Sequence, residues 1–243
     1  MTSKRILAFS SSRYGNRGYL KAAAPVIKKF LDSKTTNIAF IPFASVEKNY
    51  DEYATNVNNA LGQVGIQINA AKPRNARSLV ETCDAIIIGG GNTFKLLHDI
   101  YELNLVNLIK EKVNNGTPYI GWSAGSNILS PTIGTTNDMP VIQPKSFNAL
   151  GIFSFQINPH YFNQKVESFN GETRDQRLEE FIEVNPQYSI LALPEGTWLE
   201  LQNNNLMFCG EAPGTLFQRG ELEESIIKTP ISNTTDLSFL IKS

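Results

Sequence analysis

Short apolar segments alternate with amphipathic segments through the first half of the chain, and this alternation limits the folds open to it. The segments expected to be strands are 6–10, 36–44, 66–71, 85–90 and the apolar run Pro118-Tyr119-Ile120 that leads into Gly121. The segments expected to be helices are 19–34, 51–65, 76–83, 93–102 and 105–114. Apolar strands separated by helices at this pitch indicate a parallel sheet with helices on both faces. The predicted fold is therefore a three-layer α/β/α arrangement with a mostly parallel central sheet.

The second half continues this pattern and then changes. Strands are expected at 153–158 and 189–193, and a helix at 172–184 whose capping box is Thr173-x-x-Gln176. After Pro194 come short segments typical of hairpin strands, at 198–201, 206–209, 214–219 and 225–228, with Asn203-Asn204-Asn205 as a turn. We expect one domain over residues 1–243, in which about 197–243 form a short antiparallel extension.

Composition excludes several classes of function. The 243 residues are 41% hydrophobic and 19% charged, with a formal net charge of −1, which indicates a globular chain. No basic run is longer than a pair, so a nucleic-acid partner is not expected. No apolar run approaches the roughly 18 residues of a membrane span, and the four-residue apolar core near the amino terminus is too short for a signal peptide. Cys83 and Cys209 lack metal-ligand spacing, so we expect reduced thiols in a cytoplasmic protein.

The pentapeptide Gly121-Trp122-Ser123-Ala124-Gly125 follows an apolar strand and precedes Ser126-Asn127-Ile128-Leu129. This G-x-S-x-G pattern is typical of a strand that turns sharply into a helix and exposes a serine at the turn. The free N–H groups at the start of that helix suit a developing oxyanion. An ordinary strand-to-helix turn that happens to contain a serine is the alternative.

A serine hydroxyl needs a base to accept its proton, and the chain has only two histidines. His98 lies within a predicted helix and is interpreted as a surface or packing residue. His160 follows the strand 153–158 and Pro159. If that strand runs parallel to the Ser123 strand in the same sheet, both end at the edge where α/β sheets bind ligands. We therefore favour His160 as the base.

An orienting carboxylate is expected at another strand end, where Glu195 follows Leu193-Pro194. Asp138, in the aperiodic loop 130–143, is the rival acid. The order Ser123, His160, Glu195 differs from the serine, acid, histidine order of α/β-hydrolases, which argues against that fold.

Gly89-Gly90-Gly91-Asn92-Thr93 closes an apolar strand and opens a helix. The segment lacks the lysine of a P-loop and the spacing of G-x-G-x-x-G. It is better suited to the second half of an oxyanion hole, in which the N–H of Gly91 joins that of Ala124. A binding module that holds a phosphate or small acid on these glycines is the non-enzymatic alternative.

Taken together, these residues resemble the peptidase E family of α-aspartyl dipeptidases, serine peptidases related to class I glutamine amidotransferases. The matching motifs, in the family's order, are Phe40-Ile41-Pro42-Phe43-Ala44, Gly89-Gly90-Gly91-Asn92-Thr93-Phe94, Gly121-Trp122-Ser123-Ala124-Gly125, Thr135-Thr136-Asn137-Asp138-Met139-Pro140, Gln156-Ile157-Asn158-Pro159-His160, Gly171-Glu172-Thr173-Arg174 and Leu193-Pro194-Glu195-Gly196. They cover roughly residues 5–210, and the resemblance ends after about Gly210. It implies a flavodoxin-like or class I glutamine amidotransferase-like fold.

The resemblance also implies hydrolysis of Asp-X dipeptides with an unblocked N-terminal aspartate, with no metal and no cofactor. Carried over by position, Ser123 is the nucleophile, His160 the general base and acid, and Glu195 the orienting carboxylate. Gly91 and Ala124 supply the oxyanion N–H groups. Asn92, Asp138 and Arg174 are implied at the substrate, and Arg174 can bind the aspartate carboxylate with a bidentate fork. The expected partner is a small peptide, and the chain is expected to be a monomer or a homodimer.

Two related activities remain as alternatives. A cyanophycinase-like enzyme would act on a β-aspartyl arginine link, and the Asn137-Asp138-Met139-Pro140 loop favours the dipeptidase over it. A glutamine amidotransferase is disfavoured, because that chemistry uses a cysteine at the position of Ser123.

Overall fold

In a computed structural model of the chain, which describes residues 3–164, 170–220 and 225–241, five parallel strands form one side of the larger of two sheets. The strands are β1 (Ile6–Phe9), β2 (Ile38–Ile41), β3 (Asn69–Ala70), β4 (Ala85–Ile88) and β5 (Tyr119–Trp122). Their spatial order is β1-β5-β4-β2-β3, with every neighbouring pair parallel. All residues of β1, β2, β4 and β5 are buried, as their continuous apolar sequences predict.

Helices cover both faces of this sheet. They are α1 (Ala23–Phe30), α2 (Tyr50–Gly62), α3 (Ala76–Thr82), α4 (Thr93–Glu102), α5 (Val106–Asn114) and α6 (Ala124–Asn127). Successive strand residues point to opposite faces. Leu7 and Phe9 therefore pack with α1 and α2, whereas Ile6 and Ala8 belong to the cluster that contains α3, α4 and α5. The predicted three-layer arrangement is confirmed.

Helix α1 is shorter than the predicted segment 19–34. Leu20 has a φ of +53°, a left-handed conformation that an α-helix cannot contain, so the helix begins at Ala23. At the other end, Leu31 has extended backbone angles and stops the helix. The periodic apolar residues of 19–34 are buried as expected, but those at the two ends lie in turns rather than in the helix.

The strand that precedes His160 lies in a second sheet, so the expectation that it shares a sheet with the Ser123 strand is wrong. This sheet consists of β6 (Gln156–Asn158), β7 (Ile190–Ala192), β10 (Gly214–Arg219) and β11 (Ile226–Ile231), in the order β11-β10-β7-β6. Strand β6 is parallel to β7, and the other pairs are antiparallel. Because β1 and β4 occupy both edges of β5, β6 cannot pair with the Ser123 strand, and it pairs with β7 instead. Helix α7 (Arg174–Val184) packs on β10, and its predicted capping box is confirmed.

The antiparallel tail is divided between the two sheets. Strands β8 (Thr197–Gln202) and β9 (Asn205–Gly210) extend the large sheet beyond β1, and β12 (Thr235–Asp236) pairs with β9. The other tail strands, β10 and β11, complete the second sheet, and a short 3-10 helix (Ser238–Leu240) follows β12. Residues 221–224 and 242–243 of the predicted extension lie outside the described residues.

One cluster of buried side chains joins the two sheets. It contains Leu199 and Leu206 of the large sheet together with Leu191 and Leu216 of the second sheet. The assignment of a single domain over residues 1–243 stays a prediction, and this shared core is compatible with it. Within the described ranges, no helix combines the length and apolar composition that crossing a membrane requires.

Candidate active site

Ser123 lies at the junction of β5 and α6 in a strained backbone conformation. Its φ and ψ are +54° and −115°, which L-residues rarely adopt. The backbone N–H of Ser123 donates to the carbonyl of Phe9 at 3.1 Å, which fixes the turn to the end of β1. A side chain at Gly125 would place its Cβ 2.2 Å from the carbonyl oxygen of Ile88, so only glycine fits at that position of the motif. The structure therefore contains the sharp strand-to-helix turn that the G-x-S-x-G pattern predicts.

The imidazole of His160 lies next to this serine. Its Nε2 is 2.9 Å from Ser123 Oγ, although the two residues come from different sheets. His160 also has a positive φ, +53°, and its side chain is 40% exposed, so solvent can reach the ring. The histidine is thus within hydrogen-bond reach of the serine hydroxyl, as a general base has to be.

Glu195 contacts the opposite side of the same ring. Its Oε1 is 2.8 Å from His160 Nδ1, and it follows β7, the strand adjacent to β6. A carboxylate at Nδ1 favours the tautomer with its proton on Nδ1, which leaves Nε2 free to accept the serine proton. The two side chains come together because β6 and β7 are parallel and end at the same edge of the second sheet.

Asp138, the rival acid, is engaged at the N-terminus of α4. Its Oδ2 accepts hydrogen bonds from the N–H of Thr93 at 2.7 Å, from Thr93 Oγ1 at 2.6 Å and from Thr136 Oγ1 at 3.1 Å. A carboxylate is favoured there by the helix dipole. In the described part of the chain, Asp138 makes no hydrogen bond or ion pair with His160. Of the two acids that the sequence left open, the geometry favours Glu195.

The backbone N–H groups of Gly91 and Ala124, near Ser123, have no acceptor among the described residues. Ala124 begins α6, where N–H groups have no partner within the helix. Gly91 has a φ of +137°, and a Cβ there would lie 2.4 Å from the carbonyl oxygen of Ala44. The glycines that close β4 lie against the nucleophile, since a Cβ at Gly90 would be 2.9 Å from Ser123 Cβ. Both N–H groups are therefore available to a ligand atom.

Asn92 caps α4 in this structure. Its Oδ1 accepts from the N–H of Lys95 at 3.0 Å, and its Nδ2 donates to the carbonyl of Met139 at 2.8 Å. A carboxamide has a second N–H and further acceptor capacity. The predicted contact with substrate therefore stays a prediction that is compatible with the cap.

Arg174, the first residue of α7, carries a positive charge with no carboxylate partner among the described residues. Its Nη1 donates to Asn137 Oδ1. Burial lowers the pKa of Arg174, and the positive charge of Arg177 lowers it further. A partly buried cation without a counterion, at a helix end that disfavours cations, is suited to bind an anion.

Two further residues hold these groups together, and neither was assigned a role from the sequence. The buried Ser10 Oγ accepts from the N–H of His160 at 2.9 Å and donates to the carbonyl of Leu193 at 2.7 Å. Asn137 Nδ2 donates to the carbonyl of Pro159 at 2.7 Å. Asn137 lies in one of the motifs quoted above, but the only signal for Ser10 is its position at the end of the first strand.

The other histidine has a different environment. His98 lies in α4, where its Nδ1 is 3.1 Å from Asp99 Oδ1. The predicted packing or surface role for His98 fits this position. No cluster of three or more histidine, cysteine or acidic side chains suited to a metal ion is found across the described residues.

Comparison with known proteins decides the family. The family model for Peptidase family S51 matches residues 6–208, which is most of the chain. The chain belongs to peptidase family S51. Its relatives include a protein named Peptidase E from Haemophilus influenzae, 50% identical over 202 residues, covering 82% of this chain and 93% of that protein. Another, named Peptidase E from Shewanella putrefaciens, is 46% identical over 237 residues, 97% of this chain and 98% of the relative.

Solved structures show the same fold. A putative Peptidase E protein from Listeria monocytogenes superposes with a TM-score of 0.65 at 23% identity, covering 87% of this chain and all of that one. A peptidase from an acI-B1 actinobacterium gives a TM-score of 0.69 at 16% identity, covering 97% of each chain. The predicted family, the fold class and the enzyme class of a serine-type dipeptidase are confirmed. The aspartate specificity and the roles of individual residues stay predictions.

Proposed function

We propose that this S51 peptidase hydrolyses the peptide bond after an unblocked N-terminal aspartate, by way of an acyl-enzyme on Ser123. The observation that carries the proposal is the His160 ring, which lies 2.9 Å from Ser123 Oγ on one side and 2.8 Å from Glu195 on the other. The similarity to proteins named Peptidase E supports a peptidase of this kind.

In the proposed reaction, Ser123 Oγ attacks the scissile carbonyl carbon while His160 Nε2 accepts the serine proton. The tetrahedral intermediate places its oxyanion near the free N–H groups of Gly91 and Ala124. When the intermediate breaks down, His160 gives the proton to the leaving amine and the aspartyl ester remains on Ser123. Water then attacks this ester in the same way, with His160 again as the base, and releases aspartate. Glu195 orients the ring and stabilises the imidazolium in both halves.

Aspartate recognition is proposed to depend on charge. The side-chain carboxylate of the substrate pairs with Arg174, because that guanidinium has no acidic partner of its own among the described residues and is partly desolvated. The substrate ammonium lies near Asp138, whose Oδ1 receives no hydrogen bond within the described residues. Asn92 adds a hydrogen bond through its remaining N–H. Leaving either substrate charge unpaired would cost several kcal/mol, roughly, in a partly dry pocket.

No cofactor takes part in this proposal. We further propose that the enzyme acts in the cytoplasm on small peptides, as a monomer or a homodimer. The free state of Cys83 and Cys209 is compatible with a reducing compartment.

Release of p-nitroaniline from aspartyl, glutamyl and leucyl p-nitroanilides tests the proposal, with Ser123→Ala as the control. We expect the aspartyl compound to be preferred, and its turnover to fall by at least about 1000-fold in Ser123→Ala. The glutamyl analogue should be slower, since one methylene is worth about 1–3 kcal/mol of discrimination. Equal turnover of the leucyl compound, or undiminished turnover in Ser123→Ala, would contradict the proposal.

A further inference from the structure

A hydrogen-bonded pair of side chains lies next to two residues of the proposed site. One member follows His160, the proposed base, and the other follows Arg174, the proposed anion-binding residue. Tyr161 comes after His160, Asp175 comes after Arg174, and Tyr161 OH donates to Asp175 Oδ1 at 2.6 Å. The side chain of Asp175 is only 15% exposed. Burial raises the pKa of Tyr161 to about 12, and the bond to Asp175 raises it too, so the hydroxyl remains a donor at neutral pH.

The second oxygen of Asp175 is occupied by a residue from the tail. Lys228 Nζ, on β11, lies 3.1 Å from Asp175 Oδ2 and 2.7 Å from Glu179 Oε1. These two carboxylates raise the pKa of Lys228, so its ammonium group is protonated at neutral pH. The Tyr161 ring packs edge-on against Phe217, the β10 residue paired with Lys228, with a centroid distance of 6.1 Å.

These contacts link the His160 segment and the start of α7 for a second time. The first link runs through Asn137, which accepts from Arg174 and donates to the carbonyl of Pro159. The second is the Tyr161–Asp175 bond on the other side of the same two residues. Two links fix the separation between His160 and Arg174, and hence between the scissile carbonyl and the substrate carboxylate.

The contacts also direct the Asp175 carboxylate away from Arg174. Consecutive residues of a helix do not face each other, and Asp175 Oδ1 accepts from Tyr161 while Oδ2 accepts from Lys228. Arg174 is left without a carboxylate partner in the described part of the chain.

We infer that Tyr161, Asp175 and Lys228 are positioning residues that keep Arg174 correctly placed for an acidic first residue of the substrate. This inference rests on the proposed function, and it assigns a part in specificity to β11 of the tail. Without Lys228, Asp175 loses its cationic partner and the link from Tyr161 to the start of α7 is weakened, so the site would bind an anionic side chain more weakly.

The test compares Lys228→Met with Arg219→Met as a matched control. Arg219 Nη1 lies 2.6 Å from Glu183 Oε2, so it also joins α7 to the second sheet, but at the far end of the helix. We expect Lys228→Met to raise KM for aspartyl p-nitroanilide by roughly 3- to 30-fold with a smaller change in kcat. Arg219→Met should leave KM unchanged, and Lys228→Arg should restore it. Equal KM changes in the methionine variants would indicate only a loosened helix and would overturn the inference.

A double variant tests whether Lys228 acts through Asp175. In an Asp175→Asn background Lys228 no longer pairs with a charge at position 175, so Lys228→Met should have little further effect on KM. An undiminished effect in that background would overturn this part of the inference. If Lys228→Met does not fold, Tyr161→Phe removes one hydroxyl while keeping the ring, and KM should rise in the same direction; an unchanged KM there counts against the inference. Absence of aspartyl turnover in the wild type would instead overturn the proposed function.

Discussion

At the scale of single residues, the proposed nucleophile and base both occupy the left-handed backbone region. Ser123 and His160 have φ values of +54° and +53°, and neither is a glycine. Such conformations cost of order 1–3 kcal/mol each and persist where the surroundings impose them. For Ser123 the constraint is the bond to Phe9 together with the close packing at Gly125. For His160 it is the bond from its N–H to Ser10.

The strain at Ser123 predicts a difference in stability between two variants of the proposed nucleophile. Ser123→Gly removes the Cβ that disfavours this conformation, whereas Ser123→Ala keeps it. Glycine also gains about 0.5–1 kcal/mol of conformational entropy in the unfolded chain, which offsets part of the gain. We therefore expect Ser123→Gly to be more stable than Ser123→Ala by roughly 1 kcal/mol in urea unfolding. A glycine variant that is less stable than the alanine variant would show that this turn is not strained.

Replacing each of the two candidate acids by its amide should give a different phenotype. Glu195→Gln leaves His160 without its carboxylate and should lower kcat by roughly 100-fold or more, with the fold unchanged. Asp138→Asn weakens the hydrogen bonds to Thr93 and should lower the free energy of unfolding by about 1–2 kcal/mol, with the main kinetic effect on KM. Steady-state kinetics and urea unfolding of both variants measure this. A large kcat loss in Asp138→Asn with near-normal Glu195→Gln would reverse the assignment.

At the scale of elements, the sequence predicted the features that depend on residues close together in the chain. Continuous apolar strands and the capping box of α7 were predicted correctly from residue type, and so was the turn at 203–205, except that Asn205 begins β9. Helix α1 was predicted too long, because the left-handed conformation of Leu20 is set by its tertiary surroundings and leaves no mark in the apolar pattern. The second sheet was missed because strand pairing depends on which edges remain free, and a list of strands does not contain that information.

The β8–β9 hairpin provides a test at this scale. Asn203 and Asn204 have φ values of +54° and +59°, as a two-residue type I′ turn requires. We expect Asn204→Gly to keep or slightly raise the free energy of unfolding, and Asn204→Val to lower it by about 1–2 kcal/mol, since a β-branched residue disfavours this conformation. Urea unfolding measures both, and equal stability of the two variants would contradict the turn assignment.

At the scale of the whole molecule, the candidate site joins two sheets. Ser123 comes from the large sheet, whereas His160 and Glu195 follow neighbouring strands of the second sheet. The sequence was sufficient to predict the types of the site residues and their positions at strand ends. It did not predict how these residues meet, because that depends on Ser10, which joins the end of β1 to the loops after β6 and β7.

Buried tyrosines predict how stability depends on alkaline pH. Burial raises the pKa of Tyr19, Tyr50, Tyr53, Tyr119 and Tyr161 above the ordinary value of 10.0. A group whose folded pKa is higher than its unfolded pKa stabilises the protein below the unfolded value and loses that contribution as pH rises. Tyr50 and Tyr161, with pKa values raised to about 12, place the loss between about pH 10 and 12. Urea midpoints should therefore be lower at pH 11 than at pH 8, accompanied by tyrosinate absorbance on unfolding; an unchanged midpoint would contradict this.

The central claim is that Ser123, activated by His160, forms a covalent acyl-enzyme with an aspartyl substrate. The most direct measurement is mass spectrometry of the intact protein and its peptides after rapid acid quenching during turnover of aspartyl p-nitroanilide. We predict an added aspartyl residue on the peptide that contains Ser123, absent in Ser123→Ala and formed far more slowly in His160→Gln. Steady turnover of this substrate with an adduct on a different residue, or with an unchanged rate of adduct formation in His160→Gln, would contradict the account.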